Sequence, residues 1–175
     1  QIDRWVIKKA FEIMKDELDK YDILMSINLS AKSIASPDLI DYLSNITKEY
    51  NINPNKIEFE LTEHSLIFDI DWSKEVIGKL KHLGFGIALD DFGTGNNNMM
   101  AVDIFAPHIV KLDRSLITDI ENDVDKQEYY FYYRDSFHKR GIKVLAEGIE
   151  SREEYEFLRD NGIDLVQGFY LGRPE

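Results

Sequence analysis

Short apolar runs alternate with helical segments along the whole chain, and this alternation limits the folds that the chain can adopt. Six runs have the apolar character and length of buried strands, and they are predicted at residues 23–29, 57–62, 85–89, 108–112, 142–146 and 164–166. The helices are predicted at residues 3–20, 36–50, 73–83, 98–104, 123–140 and 151–160. The second of these helices is expected to begin with Ser36 as N-cap and Pro37 as first residue. Strands and helices in this order favour a parallel sheet with right-handed crossovers, which places the chain in the α/β class.

The charge balance argues against one large class of partners. The 175 residues carry 21 Lys and Arg against 33 Asp and Glu, a net charge of −12, whereas a protein that follows a nucleic-acid backbone needs a basic face. We therefore expect no nucleic-acid polymer as a partner, but a small phosphorylated ligand held through metal ions is compatible with this charge.

Length and composition indicate one domain over residues 1–175. The chain has no cysteine and no visible secretory signal. It also has no apolar run near the roughly 18 residues of a membrane span. We expect a cytoplasmic domain, whose parent protein is either soluble or anchored in a membrane. Because the first residue is Gln rather than Met, we also expect that the chain is a fragment of that parent.

Polar residues occur at or near the carboxyl ends of the predicted strands. Such positions meet at one edge of a parallel sheet, and in a (β/α) barrel that edge carries the active site. Burying carboxylates and an amine is costly unless they pair or bind a ligand, so stability alone does not explain the pattern. The residues are Asn28, Glu60, Asp90, Asp91, Lys111, Asp113, Glu147 and Gln167.

Four carboxylates and one amide in this set have the oxygen ligands that Mg²⁺ and Mn²⁺ prefer. Two such ions can activate water and stabilise both oxygens of a phosphoryl displacement. Asp90 is suited to bridge the two ions, with Asn28 and Glu60 on one ion and Asp91 and Glu147 on the other. Taken alone, the Asp90–Asp91 pair is equally consistent with a solvated turn before a glycine loop.

The remaining members of the set have a functional interpretation and a structural one. Lys111 is suited to orient an attacking water or to neutralise charge on phosphorus, and Gln167 to position a water or a ligand oxygen. Lys111 is also compatible with a simple ion pair to Asp113 or Glu147, and Gln167 with a bond to a loop carbonyl. Asn28 has the side chain of a helix cap.

Six segments resemble the EAL domain family, the cyclic di-GMP phosphodiesterases of bacterial signalling. They occur in the order and at the spacing of that family over nearly the whole chain. The segments are Ser26-Ile27-Asn28-Leu29-Ser30-Ala31, Glu58-Phe59-Glu60-Leu61-Thr62-Glu63, Ala88-Leu89-Asp90-Asp91-Phe92-Gly93-Thr94-Gly95, His108-Ile109-Val110-Lys111-Leu112-Asp113-Arg114-Ser115, Ala146-Glu147-Gly148-Ile149-Glu150 and Gln167-Gly168-Phe169.

The resemblance implies a modified TIM barrel that cleaves cyclic di-GMP to linear pGpG with two Mg²⁺ or Mn²⁺ ions. It implies metal ligands at Asn28, Glu60, Asp90, Asp91 and Glu147. It also implies that Lys111 positions the nucleophilic water, that Gln167 supports that site, and that Glu63 braces the loop after Asp91. We assign a substrate-binding role to Asp113. We expect Lys111, Glu147, Asp90 and Gln167 to be the catalytic group.

Two departures from the family pattern bear on activity. The Glu-Ala-Leu segment that names the family is absent, and with it one metal ligand. We therefore expect an incomplete (β/α) barrel with about six strands, lacking its first strands and last helix, and weak or absent turnover by this chain. In addition, Asn96-Asn97-Asn98 replaces the family's usual Tyr-Ser-Ser-type stretch after Gly95.

Three functions follow from these features. The first is metal-dependent cyclic di-GMP hydrolysis by the parent protein, in which an upstream sensor or cyclase domain is possible and a homodimer is expected. The second is a non-catalytic receptor that binds cyclic di-GMP. The third is an interaction module that uses the aromatic helix at residues 123–140, which carries more aromatic side chains than one buried stripe needs.

Overall fold

A computed structural model of the chain describes residues 2–67, 69–94 and 98–173. The six strands are β1 (Met25–Asn28), β2 (Ile57–Thr62), β3 (Gly86–Phe92), β4 (Ile109–Leu112), β5 (Lys143–Ala146) and β6 (Leu165–Val166). The helices are α1 (Ile2–Met14), α2 (Glu17–Lys20), α3 (Ala31–Ile34), α4 (Leu39–Glu49), α5 (Glu63–Ile67), α6 (Ile70–His82), α7 (Asn98–Phe105), α8 (Arg114–Ile117), α9 (Val124–His138) and α10 (Arg152–Asp160). A 3₁₀ turn, Pro54–Lys56, precedes β2.

The strands form one parallel sheet in the order β1-β2-β3-β4-β5-β6. Each strand therefore follows its neighbour in sequence, which is the order in which strands occur in a (β/α) barrel. The predicted class, an α/β fold with six parallel strands of an incomplete TIM-type barrel, is confirmed. The chain divides into two compact units, residues 1–88 and 89–175, and β3 contains the boundary.

The largest differences from the predicted helix boundaries are three, and the short helices α3, α5 and α8 were not predicted. The segment at 3–20 is two helices, α1 and α2, rather than one. The helix expected to begin at Ser36 begins at Leu39 with Asp38 as its N-cap residue, and Ser36 instead donates its hydroxyl hydrogen to the Asp38 carboxylate. Helix α6 begins at Ile70, earlier than predicted, because the Asp69 carboxylate accepts the Trp72 N–H and so caps the first turn.

The unit at residues 1–88 packs its helices on strands β1 and β2. These two strands are parallel, with Asn28 opposite Glu60 in register. The Phe59 and Phe85 rings contact each other with their centroids 5.1 Å apart. The completely or almost completely buried side chains include Ile7, Phe11, Leu39, Leu43, Ile57, Leu61 and Leu80.

The unit at residues 89–175 places β4 and β5, and β5 and β6, in parallel register. Its aromatic helix α9 buries only part of its aromatic surface. Tyr130 and Phe137 are buried, whereas Tyr129 and Tyr132 are exposed. The Phe137 ring meets the edge of Phe92, at the end of β3, with centroids 5.2 Å apart. Helix α9 therefore anchors the last residue of β3, close in sequence to the Asp90–Asp91 pair.

Among the helices of residues 2–67, 69–94 and 98–173, none has both the length and the apolar composition needed to cross a membrane.

The anchoring of β3 by α9 predicts a large cost for Phe137→Ala. This side chain is 0% exposed, and truncation of a buried Phe typically costs about 3–5 kcal/mol through lost burial and the cavity left behind. Tyr132→Ala on the same helix is the control, because the side chain is exposed. Urea unfolding followed by circular dichroism measures both. Equal losses for the two variants would contradict the packing role of Phe137.

Candidate metal and catalytic site

An ion-pair cluster around one buried ammonium lies at the ends of β3, β4 and β5. The Lys111 side chain is 4% exposed, and its Nζ lies 2.7 Å from Glu147 Oε1 and 3.0 Å from Asp90 Oδ1. Lys111 is the third residue of β4 and Glu147 directly follows β5, so the parallel register of these strands brings the two together. A buried ammonium is costly unless carboxylates compensate it, and here two do.

The contact between Lys111 and Asp90 is an ion pair without hydrogen-bond alignment. Asp90 Oδ1 is buried and, among the described residues, has no aligned hydrogen-bond donor, although the ammonium is 3.0 Å away. Buried polar oxygens are rarely left in this state. Asp90 Oδ1 therefore retains a lone pair that is able to accept a donor or a cation.

Asp91 turns its carboxylate toward the same cluster because its backbone leaves the strand conformation. Successive side chains of a strand point to opposite faces, but Asp91 has φ of 58°, in the left-handed region that Asp and Asn tolerate better than other residues. The Thr94 hydroxyl donates a hydrogen bond to the Asp91 carbonyl, 2.9 Å away, which holds the turn. As a result, one ligand atom from each of Asp90, Asp91 and Glu147 lies within 4.8 Å of the others.

The three carboxylates fit a divalent cation. All the donors are oxygens, which Mg²⁺, Mn²⁺ and Ca²⁺ accept and softer metals do not favour. Three carboxylates carry more negative charge than one ammonium balances, and Asp90 Oδ1 is already desolvated without an aligned donor. Asp90, Asp91 and Glu147 are therefore the residues of this unit that would hold the metal.

A groove of about 310 Å³ opens beside Glu147. Asp113, Gln167 and Phe169 are among its lining residues. The Gln167 N–H donates to the Ala146 carbonyl and the Gln167 carbonyl accepts the Ile149 N–H, so its main chain is held while its side chain is exposed. Asp113 caps α8 by accepting the Ser115 N–H at 2.9 Å. The structure thus places Gln167 and Asp113 beside Glu147.

The other predicted site residues lie in the unit at residues 1–88. Asn28 and Glu60 end or nearly end their strands in register with each other, and the Leu29 N–H donates to the Glu60 carbonyl. Glu63 is buried at the start of α5, and within the described part of the chain its Oε2 has no hydrogen-bond partner. Their roles as metal ligands and loop brace stay predictions. Gly95 of the matching segment, and Asn96 and Asn97 of the stretch that departs from the family pattern, lie outside the described residues.

Glu154 is a buried carboxylate that binds the segment following Glu147, and it was not among the predicted residues. Its Oε2 accepts the Glu150 and Ser151 N–H groups, and its Oε1 accepts the Asp119 N–H at 3.2 Å. Burial acts to raise the pKa of Glu154, but these backbone donors outweigh it and hold the pKa below its ordinary value. The Ser151–Glu154 spacing is that of a capping box, a signal present in the sequence.

The comparisons with known proteins identify the family. The sequence pattern of the EAL domain matches residues 1–174. The chain belongs to the EAL domain family. This EAL domain is 32% identical over 176 residues to MucR of Pseudomonas aeruginosa, a bifunctional diguanylate cyclase/cyclic di-GMP phosphodiesterase, covering 99% of this chain and 26% of MucR. It thus spans about a quarter of the length of this relative.

Two solved structures extend this similarity. The PaMucR phosphodiesterase, in complex with c-di-GMP, matches with a TM-score of 0.90 at 32% identity, over 99% of this EAL domain and 71% of that chain. Klebsiella pneumoniae BlrP1, as a calcium and cyclic di-GMP complex, matches with a TM-score of 0.87 at 30% identity, over 95% of this EAL domain and 42% of that chain. The resemblance to EAL domains is confirmed, whereas the roles assigned to individual residues stay predictions.

The shifted pKa of Glu154 predicts a pH-dependent contribution to stability. Because the folded pKa is below the ordinary 4.5, the contribution is fully present above about pH 4.5 and is lost as the pH falls through the folded pKa. Glu154→Gln replaces one acceptor oxygen by a donor and should cost about 1–3 kcal/mol near pH 7. Urea unfolding at pH 7 and pH 3 measures the difference.

The neighbouring Glu153→Gln is the matched control, because Glu153 is exposed in the same helical turn. A Glu154→Gln loss that is the same at pH 3 as at pH 7, or no greater than that of Glu153→Gln, would contradict the role assigned to the carboxylate.

Proposed function

We propose that this EAL domain is the catalytic domain of a metal-dependent phosphodiesterase that hydrolyses cyclic di-GMP to linear pGpG. The observation that carries the proposal is the cluster at the strand ends, where ligand atoms of Asp90, Asp91 and Glu147 lie within 4.8 Å of one another. The buried Lys111 ammonium contacts two of these carboxylates. The similarity to the c-di-GMP complex of PaMucR supports the choice of substrate.

Each member of the cluster has a proposed task in this reaction. Asp90, Asp91 and Glu147 would hold Mg²⁺ or Mn²⁺, together with Asn28 and Glu60. When bound, these cations supply Lewis acidity that stabilises the charge developing on the phosphodiester. Cleavage to pGpG requires that a water oxygen bonds to phosphorus while the bond from phosphorus to the 3′ oxygen breaks.

Lys111 is suited to orient the attacking water, because an ammonium is able to donate a hydrogen bond to its oxygen. Burial restricts the Lys111 side chain to a small volume, which lowers the entropic cost of holding the water in line. Gln167 and Asp113 line the groove next to Glu147. We propose that Gln167 supports the water site and that Asp113 contacts the substrate.

A non-catalytic receptor is the second candidate, and the two ion pairs of Lys111 favour it. Lys111 already pairs with Asp90 and Glu147, so the cluster is partly neutralised by the chain itself. An arrangement of this kind is compatible with binding a cyclic dinucleotide without turnover. We also propose that the parent protein carries further domains and that the EAL domain forms a homodimer, which light scattering of the purified chain would test.

Asp90→Asn tests the proposed function. It preserves shape but removes the charge of a proposed ligand, so we expect Mn²⁺ affinity to fall at least about tenfold. The production of pGpG should fall at least about a hundredfold, because an error of about 1 Å in position can cost that much. Calorimetry with Mn²⁺ and chromatography of pGpG after prolonged incubation with cyclic di-GMP measure the two effects.

Asp103→Asn is the matched control, because Asp103 is an exposed carboxylate that pairs with Arg140 away from the cluster. Where the unsubstituted chain forms pGpG, an unchanged rate in Asp90→Asn would contradict the proposed reaction. Tight cyclic di-GMP binding without pGpG formation by the unsubstituted chain would favour the receptor.

A further inference from the structure

The short helix α8 contacts both turns that follow the proposed metal ligands. After Asp91, a Cβ placed on Gly93 would lie 2.5 Å from Leu116 Cδ1. After Glu147, a Cβ placed on Gly148 would lie 2.8 Å from the Cβ and Cγ of Arg114. Leu116 therefore packs against Gly93, and Arg114 packs against Gly148, at positions where any larger residue than glycine would clash.

An ion pair attaches the beginning of α8 to the segment that follows Glu147. Arg114 donates two hydrogen bonds to Glu150, with Nη1 2.6 Å from Oε1 and Nη2 2.5 Å from Oε2. A bidentate Arg–carboxylate pair has a defined geometry in addition to its charge. It also holds the Arg114 stem in place against Gly148.

A buried carboxylate attaches the other end of α8 to the same segment. The chain leaves α8 through Asp119, whose N–H donates to Glu154, and the same carboxylate accepts the N–H groups of Glu150 and Ser151. Glu154 is buried, so these bonds are protected from water. Helix α8 is therefore joined at both ends to the segment that begins with Glu147.

We propose that α8 is a positioning element that sets the separation between Asp91 and Glu147, with Arg114 and Leu116 as its two contact residues. Leu116 supports the turn after Asp91, and Arg114, held by Glu150, supports the turn after Glu147. This inference rests on the proposed function, because it assigns α8 an effect on the metal affinity of that site. In this role Arg114 and Leu116 act on the site through the turns that follow its ligands, and Arg114 also lines the groove beside Glu147.

If Arg114 and Glu150 affected cation affinity through their charges alone, the effects of their substitution would differ from those expected for a positioning role. Arg114→Met keeps most of the stem but removes a positive charge, which by charge alone should tighten the binding of a cation. Glu150→Gln removes a negative charge, which by charge alone should weaken it. If the ion pair acts by positioning, both substitutions weaken binding, because each removes the same bidentate contact.

The experiment is calorimetric titration of Mn²⁺ alone into the whole chain and its variants. We expect Arg114→Met and Glu150→Gln each to weaken Mn²⁺ binding about tenfold, the lower end of the effect of residues behind metal ligands. The double variant should lose no more than either single variant, because the two side chains share one interaction. Leu116→Ala should also weaken binding, since it removes the support of the turn after Asp91.

Arg152→Met and Glu156→Gln are the matched controls, because they form an exposed Arg–Glu pair on α10 that does not contact these turns. Thermal unfolding without metal separates loss of affinity from loss of fold, and Arg114→Lys serves as a milder variant that keeps the charge but not the bidentate geometry. Tighter or unchanged binding by Arg114→Met with an intact fold would overturn the positioning role and leave the proposed function standing. Absence of Mn²⁺ binding by the unsubstituted chain would overturn both.

Discussion

The buried ammonium of Lys111 is the interaction on which the candidate site depends. Without its carboxylate partners, a lysine at this depth would carry a large desolvation cost. Without the lysine, Asp90 and Glu147 would face each other and Asp91 as like charges. The ammonium and the carboxylates therefore compensate each other's charge and desolvation cost, and the strands hold them in contact. With Asp91 included, three carboxylates face one ammonium, so the cluster keeps an excess of negative charge.

The carboxylates converge through local backbone features rather than through long elements. The left-handed conformation at Asp91 interrupts the alternation of side chains between the two faces of the strand. Gly93 and Gly148 let neighbouring side chains approach the turns closely. The strands bring the residues to the same edge of the sheet, and the local backbone at these single residues sets the final positions of the side chains. This division explains why the cluster is assembled from residues in the last part of β3 and β4 and directly after β5.

Sequence periodicity predicted the strands well where they are apolar and bounded by turn residues. The strand at 57–62 has the predicted bounds, because a turn with Asn53 and Pro54 precedes a continuous buried run. The short helices α3, α5 and α8 escaped prediction, since four or five residues are too few to show a helical period. The pairing of Arg114 with Glu150 was also out of reach, because it joins residues 36 positions apart that no local pattern connects. The approach of Lys111 to Asp90 and Glu147 was accessible from the sequence, because parallel strands bring their carboxyl ends to the same edge of the sheet.

The bonds of Glu154 have a consequence for folding. One carboxylate accepts N–H groups from Asp119 and from Glu150 and Ser151, so its partners come from stretches of chain separated by about thirty residues. It cannot be satisfied until β4, α9 and β5 have brought those stretches together, and such non-local contacts form slowly. A nascent or partly unfolded chain therefore has the acidic residues but not their arrangement. The arrangement of Asp90, Asp91 and Glu147 therefore depends on cooperative completion of this unit rather than on any one of its strands.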